Sequence, residues 1–176
     1  MELDHGKQVG IAIRVVLDMQ SDCIRLFHDL DRALNELRPL LGNLVTTGLS
    51  TSINASKLYI SQWLFRLYAS KVANHRVLGV NICIHDHPTN RFEEPLFVVA
   101  NVGYDPATPD RQEELQRSWD PWSAFLDWNE DRCYGKALAV SPKRATIQSI
   151  VVAAVPLYSI ASLDIALQTI DLVGRP

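Results

Sequence analysis

The segment TIQSIVVAAVPLY, residues 146–158, limits the possible folds of this chain more than any other stretch. Its apolar, largely β-branched side chains occupy both faces of a strand, which predicts a strand that is central in a sheet and covered on both sides. Pro156 lies inside this run and has no amide proton to donate to a neighbouring strand. It therefore predicts the end of the strand, a bulge, or a position whose N–H side is unpaired.

Three other segments predict further strands. RVLGVNICIHD (76–86) alternates with period two, and LFVVANVGY (96–104) is its return strand after a stretch of turn-forming residues. A shorter strand is predicted at 132–141. The last segment, 162–176, fits either a strand or a short helix, and we favour the strand.

A long helix is predicted over residues 7–38, and about 32 residues would make a rod of roughly 48 Å. Its stripe follows a spacing of four and three residues and runs through Val9, Ile13, Val16, Gln20, Cys23, Phe27, Leu30, Leu34, Leu37 and Leu41. Two interpretations stay open: a helix that pairs with a second copy, or a helix that lies across its own sheet. We favour a homodimer whose contacts are Val9, Ile13, Val16, Phe27, Leu30 and Leu34. A second helix is predicted at 56–72, and two short helical pieces within 105–128.

These elements predict an α+β fold, with a central antiparallel sheet of about five strands flanked by helices and preceded by the long N-terminal helix. We divide the chain into a dimerisation and signalling helix at 1–41 and an α+β domain at 42–176.

Composition excludes several classes of protein. The chain has 176 residues, a net charge of −3 and no run of Lys or Arg, so a general nucleic-acid binder is not expected. No apolar run is long enough to span a membrane, and the N-terminus has no signal-peptide pattern. Three cysteines without a CxxC pair predict reduced thiols and a cytoplasmic protein.

The order of these elements resembles a GAF domain, the small α+β sensor module related to PAS domains. Three stretches carry the resemblance: the hairpin VLGVNICIHD…PLFVVANVGYDP with its Gly103-Tyr104 turn, the glycine-led GKALAVSPKR, and IQSIVVAAVPLY. In the last of these a serine, Ser149, precedes an apolar run that ends in Val-Pro-Leu at Pro156. The spacing from Ser149 to Pro156 is longer than in the family, and no glycine pair follows it.

The resemblance implies a ligand pocket that is closed by segment 105–132. Aromatic side chains in such a cleft stack on a flat ligand, whereas in the alternative they pack between helix and sheet. The ligand-binding residues expected on this basis are Trp119, Trp122, Phe125, Trp128, Arg132 and Tyr104.

Two enzymatic alternatives have weaker sequence support. His85 and His87 share one face of a strand and could bind a metal with Glu93 or Glu94, although they also fit an exposed strand end. Cys133 follows Arg132, but the clustered cysteines of GAF-like sulfoxide reductases are absent. The sequence identifies no cofactor. We therefore expect a sensory or regulatory domain that binds a small molecule or a partner, with a protein-interaction module as the alternative.

Overall fold

The computed structural model of the chain describes residues 5–39, 45–47, 63–70, 75–84, 93–107, 134–142 and 145–175. The elements in chain order are helix α1 (His5–Ala33), strands β1 (Leu37–Pro39), β2 (Val45–Thr47), β3 (Trp63–Ser70), β4 (Arg76–Cys83), β5 (Leu96–Tyr104), β6 (Leu138–Val140) and β7 (Ile147–Pro156), a 3-10 turn (Leu157–Ser159) and helix α2 (Leu163–Val173).

The strands form one open sheet in the order β1-β3-β4-β5-β7-β6, and every pairing is antiparallel. The short strands β1 and β2 both pair with the outer edge of β3. The remaining five strands make the body of the sheet, which confirms the predicted α+β class with a central antiparallel sheet.

Strand β7 behaves as its sequence predicts. It lies between β5 and β6, and Val152, Ala153 and Ala154 are fully buried. Pro156 is its last residue and lies opposite Leu96, after which the chain enters the 3-10 turn. The next residue, Leu157, still donates from its amide to the Pro95 carbonyl oxygen at 2.8 Å, so by alternation the Pro156 nitrogen faces away from β5 and its missing proton costs no bond with that strand.

The sheet has two buried faces, and α1 and α2 pack on the one that we call the helix face. Alternation along β4 directs Leu78, Val80 and Ile82 to the helix face and Val77 and Cys83 to the opposite face. The helices, with Leu34 just after α1, add these residues to the same core: Cys23, Phe27, Leu30, Leu34, Ala166, Ile170 and Val173. The two helices therefore share one apolar core with the sheet.

The helix predicted at 56–72 is wrong for residues 63–70, which form β3; residues 56–62 lie outside the described part of the chain. Leu64 and Tyr68 belong to the helix-face core, and Phe65 and Leu67 to the opposite one. A strand buried on both faces is apolar throughout, so its periodicity resembles that of a buried helix.

The strand favoured at the C-terminus is also wrong, because Leu163–Val173 is helix α2. Ser162 caps the helix by accepting a hydrogen bond from the Ile165 amide at 3.4 Å, and Asp164 lies in its first turn. Gly174 ends it with a φ of 75°, a conformation that favours glycine.

Helix α1 ends at Ala33, before the predicted end at residue 38, because β1 begins at Leu37. Three residues of the predicted dimer contact are buried in the core of their own subunit, at no more than 2% exposed: Phe27, Leu30 and Leu34. The prediction that they contact a second copy is wrong, since the sheet already covers them. The alternative interpretation, a helix that lies across its own sheet, therefore holds for the C-terminal half of α1.

Candidate functional site

The C-terminal half of α1 is fixed to the sheet by a polar contact as well as by its apolar face. The Arg66 guanidinium on β3 donates to both carboxylate oxygens of Asp31, and the Tyr68 hydroxyl donates to Asp31 Oδ1 at 2.9 Å. Burial, with the nearby Asp31 charge as the second cause, raises the pKa of the Tyr68 phenol above its usual range. Tyr68 therefore remains a neutral donor to Asp31.

An open groove of about 620 Å³ lies between this half of α1 and the connection from β7 to α2. On the α1 side its apolar lining comes from Val15, Met19, Cys23 and Leu26, and the half-buried Met19 and Leu26 lie beside the main stripe of the helix. Leu157, Ile160 and Leu163 supply the other wall. These three are half-buried as well, so the groove presents apolar surface that a bound group could cover.

The rim of the groove is acidic. Among the described residues, Asp18, Asp22 and Asp29 line it together with one basic residue, Arg25. Arg25 pairs with Asp22 at 3.3 Å, but both side chains are more than two-thirds exposed, so water weakens the pair. An apolar groove with this rim favours an apolar segment that carries positive charge.

The N-terminal half of α1 continues beyond the groove as an apolar helix. Arg14 is the sole charged residue in Val9–Leu17. Five of its side chains are between 56% and 61% exposed: Val9, Ile11, Ile13, Val15 and Leu17. A helix that is apolar on most of its surface normally packs against another element, so this half of α1 is suited to a contact between proteins.

Cys23 lies in the groove lining but lacks the character of a reactive thiol. Burial, with the Asp22 charge as a second cause, raises the pKa of Cys23 to about 11. Cys23 is therefore not the exposed, readily ionised thiol that nucleophilic chemistry requires. Cys83 is also buried and is not in a disulfide. Cys133 lies outside the described residues.

Most of the ligand-binding residues predicted from the sequence lie outside the described residues: Trp119, Trp122, Phe125, Trp128 and Arg132. Tyr104 is described and fully buried within the opposite-face core. Its role in ligand binding stays a prediction.

His85 and His87, the residues of the weaker metal-binding alternative, also lie outside the described residues. Within the part of the chain that the structure describes, no group of three or more His, Cys, Asp or Glu residues is arranged to hold a metal ion. Among the same residues, no helix has the length and apolar character needed to cross a membrane.

Asn81 on β4 is an unusual polar residue on the opposite face of the sheet. Its amide nitrogen donates to Cys83 Sγ at 3.3 Å, whereas its buried amide oxygen accepts no hydrogen bond from the described residues. A buried acceptor without a donor costs stability, so this oxygen is a place where a water or a ligand donor would be favoured.

Sequence reasoning missed the groove, although the positions of Met19 and Leu26 gave a partial signal. They form a second apolar row beside the four-and-three stripe of α1. A helix that contacts only one surface needs only one apolar row, so the second row indicates a second contact surface. The opposite wall comes from residues more than 130 positions further along the chain, which local patterns do not bring together.

Over the ranges that the structure describes, the fold and groove define an α+β protein with an open antiparallel sheet, two helices on one of its faces, and an apolar, acidic-rimmed groove beside the longer helix. No protein-family model, curated protein or solved structure matches this chain. The resemblance to GAF domains therefore stays a prediction.

Proposed function

We propose that this chain is a regulatory protein-interaction domain that binds an apolar, positively charged helical segment in the groove beside α1. The observation that supports this proposal is the continuous apolar surface formed by the groove and the exposed N-terminal half of α1. Helical segments bind such grooves through apolar side chains about one turn apart, and the acidic rim selects for Lys or Arg on their flanks.

The homodimer remains part of this proposal, in a reduced form. Of the predicted contacts, Val9 and Ile13 are exposed and Val16 is half-buried, so these three are available to a second copy. We also propose a cytoplasmic location, where cysteines such as Cys23 and Cys83, neither of which is in a disulfide, stay reduced.

A model peptide tests the groove directly. Fluorescently labelled protein at nanomolar concentration is titrated with a synthetic amphipathic helix of leucine and lysine. We expect saturable binding that weakens as salt is added, because the rim is acidic. Ala161 is exposed and lines the groove, so Ala161→Trp should fill it and abolish binding. Gln168→Trp, at an exposed position of α2 outside the groove lining, is the matched control and should bind normally. Equal binding by the two variants would contradict the proposal.

A small-molecule sensor is the second candidate, and the unsatisfied Asn81 oxygen is the observation that favours it. A ligand that donates to this oxygen would stabilise the native state. The test is a thermal-shift screen of nucleotides, amino acids and metal ions on the wild-type protein and on Asn81→Leu. A compound that raises the melting temperature of the wild type alone supports the sensor. If Asn81→Leu is more stable than the wild type and no compound acts, the sensor proposal fails.

A further inference from the structure

The apolar surface of α1 is continuous from the groove to the N-terminal half of the helix. Leu26, Met19, Val15 and Ile11 follow one another at intervals of seven, four and four residues, which keeps them on one side of an α-helix. Val15, Met19 and Leu26 all line the groove, although Val15 is mostly exposed, and Ile11 is exposed outside the lining. The C-terminal half of α1 therefore forms part of a groove that can receive an apolar helix, and the N-terminal half of α1 is itself such a helix.

The charges on this helix are arranged so that two copies complement each other. Residues 5–17 contain Lys7 and Arg14 and no acidic residue, whereas the groove is lined by Asp18, Asp22 and Asp29. Arg14 precedes Asp18 by four residues, and Asp22 follows it by four. A two-fold axis at Asp18 would consequently place Arg14 of each copy opposite Asp22 of the other and bring the two Asp18 side chains near each other, so two opposite-charge contacts stand against one like-charge contact.

We propose that the occupant of the groove is the N-terminal half of α1 from a second copy, so that two chains pair antiparallel about Asp18 and each fills the other's groove. The inference rests on the proposed function, since it names the partner of the same groove. Ile11 and Val15 of one copy cover Met19 and Leu26 of the other, and a two-fold axis repeats this contact. The weak Asp22–Arg25 pair gives way to a contact between Asp22 and Arg14 of the partner subunit.

Charge reversal of the full-length chain tests the arrangement, with association measured by sedimentation equilibrium across the micromolar range. Arg14→Glu and Asp22→Lys should each weaken association about tenfold, because each places like charges opposite one another twice in the dimer. The double variant Arg14→Glu/Asp22→Lys should restore association, and so should an equimolar mixture of the two single variants. Circular dichroism and thermal unfolding confirm that each variant is folded.

The control is a charge reversal outside α1 and the groove. Arg76→Glu and Glu93→Lys change exposed residues by the same amount of charge, and we expect both to associate like the wild type.

A parallel pairing of the two helices would place residue 14 opposite residue 14. Arg14→Glu would then associate like the wild type, and that result would overturn the proposal.

A monomeric wild-type chain would also overturn it, and the Ala161→Trp variant separates this failure from that of the proposed function. If the leucine–lysine helix binds a monomeric wild type and fails to bind Ala161→Trp, the groove is a receptor for another protein. If neither the helix nor a second copy binds, the proposed function fails as well. Binding of the monomer to anionic lipid vesicles through its apolar helix would point to a membrane surface and would likewise exclude the second copy as occupant.

Discussion

Arg66 Nε donates to Asp31 Oδ1 at 3.0 Å, and this bond joins the middle of β3 to the last two turns of α1. The second guanidinium nitrogen donates to Asp31 Oδ2, so the pair is bidentate. Both side chains are at most 21% exposed. The contact fixes the position of α1 on the sheet, so a partner bound in the groove would not act by sliding this half of the helix. A regulatory signal would instead depend on whether the N-terminal half is bound.

Removal of Asp31 should destabilise the protein strongly. In Asp31→Ala the Arg66 charge loses its bidentate carboxylate partner at a largely buried site, which costs about 3 kcal/mol in the free energy of unfolding measured with urea. Asp171→Ala removes an exposed carboxylate from its i,i+4 pair with Arg175 and should cost less than about 1 kcal/mol. Similar losses in the two variants would show that the Arg66–Asp31 contact does not anchor α1.

Cys23 should make stability fall at alkaline pH. Its pKa rises from 9.0 in the unfolded chain to about 11 in the folded one, mainly through burial. Its contribution is therefore fully present below pH 9.0 and is lost as pH rises toward 11, by up to about 1.4 kcal/mol per pH unit. Urea unfolding across this range should give a shallower decline for Cys23→Ala than for the wild type. Parallel declines would mean that the thiol is not protected from ionisation.

The strands that were predicted correctly have sequence patterns that fit a strand and do not fit a helix equally well. Strands β4 and β5 lie in the segments predicted for the hairpin, and the position of Pro156 fixes the end of β7 because a proline cannot continue the ladder. In contrast, β3 was mistaken for a helix, since it buries Leu64 on one face and Phe65 on the other. Burial on both faces erases the alternation on which strand prediction depends.

The candidate site was harder to predict than the sheet. The stripe of α1 was recognised from its spacing, but its two halves have different environments: Phe27 is buried by the sheet and Ile13 is exposed. Periodicity reveals which side of a helix is apolar and does not reveal what covers it. The groove depends on Leu26 and Leu157, which are far apart in the sequence, lining the same space, and this is a property of the tertiary structure alone.

Asn101 should hold the end of α2 on the sheet. Its side-chain amide on β5 donates to the carbonyl oxygens of Gly174 at 2.8 Å and Val173 at 3.4 Å, which the helix itself leaves without partners. Asn101→Ala should cost about 1 to 2 kcal/mol in unfolding and should speed hydrogen exchange in the last turn of α2. Gln148→Ala, at an exposed position of β7, is the control. Unchanged exchange in α2 would show that Asn101 does not secure this helix end.

Gly10 should limit the helicity of the exposed half of α1. A Cβ atom at this position would meet nothing within 4 Å, so Gly10→Ala adds helix propensity of about 1 kcal/mol without a clash in the subunit. Far-UV circular dichroism should show more helix. Association should tighten by about fivefold, because a helix that is already ordered loses less entropy on binding. Gln8→Ala is the matched control, since glutamine is already a good helix former. If Gly10→Ala raises helicity but leaves association at the level of Gln8→Ala, the N-terminal half of α1 is not part of the contact.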